Sequence, residues 1–329
     1  MFDFGATLTS NASEDVKGMV LASWAQSTQK SYNSYLSRWY EYCISRHIPP
    51  VKATVNQGLE FLMYLFNAGE KHGYISNARS ALSAILPVTN TLSFGKLEIV
   101  KRFMKGVYKR RPSFPRNVVM YDANIVLDYI ASLPANEHLL LEDLTKKLCT
   151  LLCLLSGQRA QAIPALTLNM CYRDPISAEY ILYVDKIMKT STPNNHVQPL
   201  ELEAFPEDPK LCIVRCLDEY IDRTGHLREN NGAGGNMQLI LSYHTSKPVG
   251  KASIARYVKT FLGEAGIDIT VFTCHSTRSA STSKANNLGL SFKDIAKAAG
   301  WKSESTFQKF YNKPLRQTLG KVILKGKCK

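Results

Sequence analysis

The sequence predicts a mainly α-helical protein with a small β-hairpin or sheet, an α+β architecture divided into two mostly helical domains. Apolar residues recur at intervals of three and four in most segments, which is the period of an amphipathic helix. Two short stretches, 180–185 and 197–202, alternate in polarity as strands do, and a polar loop joins them. A basic segment with two prolines, 109–117, separates a shorter first part from a longer second part, and 329 residues suit two domains.

Four helices are predicted in the first part of the chain. Thr54 is suited to cap the second of them, and Pro87 ends the third because proline cannot continue a helix. The fourth has an apolar inner face and a heavily basic outer face. The predicted spans are about 27–45, 54–69, 76–86 and 96–110.

The domain boundaries follow from composition. Residues 1–22 are polar and are expected to be disordered, and residues 23–110 form the first helical domain. Residues 111–117 are a basic linker with little to bury, and residues 118–329 form the second domain. In the second domain we expect a buried apolar helix at 139–155, a Gly/Asn-rich loop at 225–236, and further helices at 122–133, 159–166, 211–223, 253–266, 275–286, 291–299 and 303–310.

The charge of the chain points to a polyanionic partner. Lys and Arg total 41 against 27 Asp and Glu, a net charge of +14 with a pI near 9.3. Residues 96–116 contain eight basic residues and one acidic residue, and residues 278–329 contain twelve basic residues and two acidic ones. Such an excess favours nucleic acid or an anionic membrane surface, although a solvated surface with a basic tail would give the same totals.

Several classes of protein do not fit the sequence. It has no apolar run of about 18 residues for a membrane span and no basic-then-apolar leader at its start. The eight cysteines form no CxxC pair and no Cys/His cluster at zinc spacing. We therefore expect reduced thiols in an intracellular protein, with no metal and no cofactor.

Candidate catalytic residues lie in the second domain, and each alone is more often structural. Arg159 follows Ser-Gly-Gln after the apolar helix, and His275 and Arg278 share one side of a helix at a spacing of three. Trp301 after Ala-Gly is most simply a packing residue, and Tyr311 ends the Phe-rich stretch FQKFY. Their order along the chain, with a lysine-bearing hairpin between them, is far less common than any one of them.

This series resembles the catalytic domain of the tyrosine recombinases, the phage integrase family. The matching stretches are SGQRAQAIPALTL, the hairpin around KIMKTSTPNNHVQPL, TCHSTRSASTSKA and AAGWKSESTFQKFYNKP, and the resemblance spans about residues 118–315. The helical domain at 23–110 looks like the family's core-binding (SAM-like) domain. The amino-acid sequences of the last two motifs most resemble those of recombinases of DIRS-like retrotransposons and related eukaryotic mobile elements.

The resemblance implies a role for each matched residue. Tyr311 is the nucleophile that forms a 3′-phosphotyrosyl link, and no metal or ATP is required. The catalytic set that the resemblance implies is Arg159, Lys189 (with Lys186 as the alternative), His275, Arg278, Trp301 and Tyr311. Predicted DNA contacts from the basic helix and linker are Lys101, Lys105, Lys109, Arg110, Arg111 and Arg116.

The sequence departs from the family pattern at three places. Ala162 stands where many members have an acidic residue, and Trp301 replaces the commoner histidine. Tyr311 lies one residue later than usual, so that Phe310 occupies the common tyrosine position. Two alternatives to a recombinase therefore stay open: a type IB topoisomerase, and an inactive DNA-binding protein derived from a mobile element.

The implied partner is double-stranded DNA, bound by a homotetramer on two sites, with no membrane association. A nuclear location is expected if the host is eukaryotic. A basic helical protein unrelated to DNA chemistry is the least favoured interpretation.

Overall fold

The chain folds into two compact units that divide between Arg116 and Asn117. A computed structural model describes residues 13–89, 91–112, 120–177, 179–184, 199–229, 237–301, 304–305 and 307. Lys186, Lys189, Arg116, Tyr311 and most of the predicted helix 303–310 lie outside the described residues. No helix in the described part combines the length and apolarity that a membrane span requires.

The first unit is helical. Its helices are α1 (Glu14–Ala22), α2 (Gln26–Ile44), α3 (Val55–Asn67), α4 (His72–Ile85) and α5 (Glu98–Arg110), with a 3-10 turn at Phe94–Lys96. The predicted helices at 27–45 and 54–69 are confirmed within a few residues as α2 and α3. Helix α4 begins four residues before the predicted Ser76.

Helix α1 was not expected, because residues 1–22 were predicted to be disordered. Ser13 caps it by accepting a hydrogen bond from the Val16 N–H, and Glu14 and Asp15 occupy its first turn. Acidic residues there interact favourably with the partial positive charge of a helix N-terminus. The local signal was therefore present in the sequence.

An aromatic cluster holds the core of the first unit. Trp39 of α2 packs edge-on against Phe61 of α3, with 5.1 Å between ring centroids, and both side chains are fully buried. The Trp39 indole N–H donates to the Pro50 carbonyl at 3.0 Å, which satisfies its one polar group. Helices α2, α3 and α4 meet around this cluster.

The second unit surrounds one apolar helix. Its elements are α6 (Ala123–Ser132), α7 (Leu141–Ser156), β1 (Leu166–Arg173), β2 (Tyr180–Val184), β3 (Leu200–Leu202), α8 (Ile213–Glu229), α9 (Lys251–Glu264), α10 (Cys274–Asn287) and α11 (Phe292–Ala299). Helix α7 is buried along most of its length and contacts α8, α9, α10 and β3. From Leu148 to Leu155 the helix is apolar except for Thr150, and the central, buried position that the sequence predicted for 139–155 is confirmed.

The sheet has three antiparallel strands in the order β1-β2-β3. The predicted pair of strands is confirmed as β2 and β3, with Leu182 opposite Leu200. The predicted helix at 159–166 is wrong: a turn and a 3-10 segment, Ile163–Ala165, lead into β1, which pairs with β2. The loop predicted at 225–236 is wrong in its first part, because α8 continues to Glu229.

Phe61→Ala should destabilise the first unit by about 3–5 kcal/mol, because truncation of a fully buried aromatic ring leaves a cavity. The measurement is urea unfolding followed by tryptophan fluorescence in a Trp301→Phe background, where only Trp24 and Trp39 report. The matched control is Ile99→Ala on α5, whose side chain is 54% exposed and whose loss should cost less than about 0.5 kcal/mol. Equal effects of the two changes would contradict the assigned core.

Candidate active site

A left-handed glycine ends the central helix and redirects the chain toward the site. Gly157 has φ 58° and ψ 15°, a conformation that residues with a Cβ rarely adopt. The irregular segment after it carries Gln158 and Arg159, and the Gln158 side-chain amide donates to the Ala298 carbonyl of α11 at 2.7 Å. Arg159 therefore lies two residues after the end of α7, in a segment that is hydrogen-bonded to α11.

Arg278 joins the ends of two helices. Its guanidinium donates to the Gly157 carbonyl at 2.6 Å and to the Ala299 carbonyl at 2.6 Å. These carbonyls lie at the C-terminal ends of α7 and α11, and α11 also ends at a left-handed residue, Gly300. Carbonyls at a helix C-terminus carry partial negative charge, so a cation between two of them is favourably placed.

Trp301 lies against this guanidinium. The Arg278 carbon Cζ is 4.5 Å from the Trp301 ring centroid, which is the geometry of a cation–π contact. The ring also packs against Phe307, at 5.2 Å between centroids, in a small cluster with Ile295 and Ala299. Trp301 is 9% exposed, so it is a packing residue as well as a partner of Arg278.

One cavity of about 540 Å³ brings together three of the predicted residues. Arg159, His275 and Arg278 all line it, so the predicted shared side of the His-x-x-Arg helix is observed. His275 is exposed in the first turn of α10, whereas Arg278 is 1% exposed one turn later. The first turn of a helix has N–H groups without intrahelical partners, which adds to the positive potential at that end of α10.

Among the residues that the structure describes, the cavity lining is cationic and contains no carboxylate. These twelve residues are Gln158, Arg159, Ala160, Gln161, Lys251, Ala255, Arg256, Lys259, Thr273, Cys274, His275 and Arg278. Five carry a fixed positive charge. Such a concave cluster of cations is suited to hold an anion with several oxygens.

Three of these cations were missed by the sequence interpretation. Lys251, Arg256 and Lys259 all belong to α9, which was predicted to begin only at Ser253. The available signal was the spacing of Lys251, Ala255 and Lys259, which places them on one side of a helix. Without the tertiary arrangement, that spacing is also typical of an ordinary solvated face.

Lys251 lies close to the start of α10. A hydrogen bond from the Cys153 thiol and the Lys251 ammonium lower the pKa of the Cys274 thiol, while burial acts in the opposite direction. Cys274 directly precedes His275. The charge of Lys251, the first residue of α9, therefore acts on the residue that precedes His275.

The predicted DNA contacts of the first unit are of two kinds. Lys101, Lys105, Lys109 and Arg110 are exposed on α5. Arg111 instead donates to the carbonyls of Phe66 and Glu70, and its guanidinium lies 4.2 Å from the Phe66 ring centroid. This geometry favours a structural role for Arg111 at the end of α3 over the predicted DNA contact.

Solved structures of known proteins share the fold of this chain. One is XerH bound to palindromic difH substrate in a post-cleavage complex, with a TM-score of 0.59 and 14% identity over 89% of this chain and 78% of that chain. The fold is that of the XerH recombinase.

Other solved structures match with lower TM-scores. A λ integrase (75–356) dimer bound to a COC′ core site has a TM-score of 0.49 and 17% identity over 92% of this chain and 94% of that chain. The Tn1549 transposon integrase with circular intermediate DNA has a TM-score of 0.49 and 13% identity over 84% and 86%. No protein-family model and no curated protein sequence matches the chain.

Gly157→Ala should destabilise the second unit by about 1–2 kcal/mol, because alanine is strained at this φ. The added Cβ would also lie 3.2 Å from Thr282 Cγ2, on the helix that carries Arg278. The measurement is the hydrogen-exchange protection of the α7 amides in denaturant.

The control is Gly225→Ala in α8, where a Cβ meets nothing within 4 Å. Because this glycine is inside a helix, the change to alanine should stabilise the unit by about 0.5–1 kcal/mol. Loss of stability at both positions, or at neither, would contradict the conformational argument.

Proposed function

We propose that this chain is a site-specific DNA recombinase that cuts and rejoins strands through a 3′-phosphotyrosyl intermediate on Tyr311. The observation that carries the proposal is the cavity that Arg159, His275 and Arg278 line, with no carboxylate among its described residues, in a chain with the XerH fold. Its last two sequence motifs suggest a recombinase of a DIRS-like or related mobile element. Assembly as a tetramer on two DNA sites belongs to the same proposal, as does a nuclear location in a eukaryotic host.

The two arginines would bind the scissile phosphate. Each guanidinium offers paired donors that match the two non-bridging phosphoryl oxygens, and its charge is fixed. Arg278 is already held by two carbonyls and a ring, so it needs little rearrangement when charge develops in the transition state. Preorganised donors of this kind are each worth about 10²–10³ in rate.

The reaction balances with side chains alone. His275 accepts the phenol proton of Tyr311 while the Tyr311 oxygen forms a bond to phosphorus. The bond from phosphorus to the 5′-oxygen breaks, and Lys189, or Lys186 as the alternative, supplies a proton to that oxygen. Religation is the reverse sequence, in which the stored phosphodiester energy replaces ATP.

The role of Trp301 in this scheme is to position Arg278. The family position is held by histidine or tryptophan, and an indole N–H can donate to a phosphoryl oxygen. Trp301 is not among the residues that line the cavity, whereas its ring lies over the Arg278 guanidinium. The geometry therefore supports an indirect action through the arginine.

The test of the proposal is covalent capture of DNA. The full chain is incubated, with chelator present, with end-labelled nicked duplexes taken from the DNA that flanks its coding sequence. The proposal predicts a protein–DNA adduct on a denaturing gel from wild type and none from Tyr311→Phe, because phenylalanine has no nucleophilic oxygen. The matched control is Tyr183→Phe, an exposed tyrosine of β2 that should leave the adduct intact.

A second variant addresses the unusual spacing between Trp301 and Tyr311. The exchange Phe310→Tyr with Tyr311→Phe moves the hydroxyl to the common position, and we expect it to give less adduct than wild type if the shifted register is native.

An adduct that persists in Tyr311→Phe would refute the assigned nucleophile. DNA binding without any adduct would support the inactive DNA-binding protein, and supercoil relaxation without strand exchange would support the topoisomerase.

A further inference from the structure

Three cations of α9 form a second positive surface on the cavity, here called the α9 row: Lys251, Arg256 and Lys259. All three line the cavity and are exposed, whereas Arg278 in the same cavity is 1% exposed. The cavity therefore has a buried cation beside Trp301 and an exposed cationic rim along α9. The proposed chemistry uses Arg159, His275 and Arg278 and leaves the α9 row without a role.

The α9 row has no counter-charge among the residues that the structure describes. None of its members takes part in a described salt bridge. By contrast, Lys146 on α7 is paired with Glu142, Asp143 and Glu264. Glu264 is the one acidic residue in the α9 sequence, and it lies at the far end of the helix. Uncompensated charge on a concave surface favours a polyanion over intramolecular pairing.

The length of the α9 row exceeds one phosphate. With a helical rise of about 1.5 Å per residue, the Cα atoms of Lys251 and Lys259 are about 12 Å apart along α9. Successive nucleotides of one DNA strand advance by about 3.4 Å along the duplex axis. The row is therefore about as long as three nucleotide steps.

The scissile phosphate also has too few oxygens to accept hydrogen bonds from the α9 row as well as from the two arginines. A phosphodiester has two non-bridging oxygens, and the proposed chemistry assigns them to the paired donors of Arg159 and Arg278. Lys251, at the start of the row, lines the cavity together with Cys274 and His275, and its charge acts on the Cys274 thiol. Lys259 is two helical turns further on.

We propose that the α9 row binds the backbone phosphates that flank the scissile phosphate, on the strand that the cavity holds. This inference rests on the proposed function. Contacts to phosphate are independent of base sequence and set the register of a strand on the protein. The row thus places one phosphate opposite Arg159 and Arg278, because its neighbours are held at fixed distances along α9.

The test is the salt dependence of DNA binding by the full chain. Dissociation constants for a duplex of about 30 base pairs and arbitrary sequence are measured from about 50 to 200 mM salt. The slope of log K against log salt is negative, and each lost phosphate contact reduces its magnitude by about 0.9. Lys251→Gln/Arg256→Gln/Lys259→Gln should therefore reduce that magnitude by about 2.7. The control Arg215→Gln/Lys247→Gln/Lys293→Gln removes the same charge from exposed positions outside the cavity and should leave the slope unchanged.

The outcomes separate this inference from the proposed function. An unchanged slope in the α9 variant, or an equal fall in the control, would overturn the α9 row and leave the proposed chemistry standing. Failure of wild type to bind the duplex would overturn both. Thermal melts of both triple variants verify that each is folded.

Neutral methylphosphonates give a second readout once the adduct assay has located the cleaved bond. Wild type should lose affinity when single phosphates within about three nucleotides of that bond are neutralised, given the length of the α9 row. The α9 variant should be insensitive at those flanking positions. Sensitivity of the α9 variant at every flanking position would contradict the assignment.

Discussion

The bridge from Arg278 to two helix ends is the interaction on which the site depends. One guanidinium donates to the carbonyls of Gly157 and Ala299, and so fixes the C-termini of α7 and α11 relative to α10. Both helices end at glycines with positive φ, because the chain must turn sharply at these points. Arg159 follows the first turn and Trp301 the second. The positions of three proposed site residues therefore derive from one set of hydrogen bonds.

The same arrangement explains how a buried cation serves an electrostatic role. A charge removed from water is costly unless it is hydrogen-bonded, and the two carbonyls with the Trp301 ring supply that compensation. An anion interacts with this charge more strongly the less water lies between the two. Arg159 and the α9 row add positive charge from more exposed positions. The cavity thus combines one buried, hydrogen-bonded cation, Arg278, with several more exposed ones.

The sequence predicted features whose signal is local, and it failed where tertiary contacts decide. Capped helices such as α3, and the apolar α7, followed from Thr54 and from composition. Strand β1 was not predicted, and its first residue, Leu166, was assigned to the end of a helix. The pairing of β1 with β2 and the bridge from Thr167 to Gln238 are contacts that the local sequence does not reveal. The motif order located Arg159, His275 and Arg278. It did not reveal that Arg278 is buried, or that α9 lies beside it, because both depend on contacts between distant segments.

The most direct test of this account is a structure of the Tyr311→Phe protein bound to duplex DNA. We expect one phosphate in the cavity, with its non-bridging oxygens about 2.7–3.1 Å from nitrogens of Arg159 and Arg278. Arg278 should keep its bonds to Gly157 and Ala299 in that complex. A complex in which the duplex leaves the cavity empty, or in which Arg278 abandons both carbonyls to reach DNA, would contradict the account.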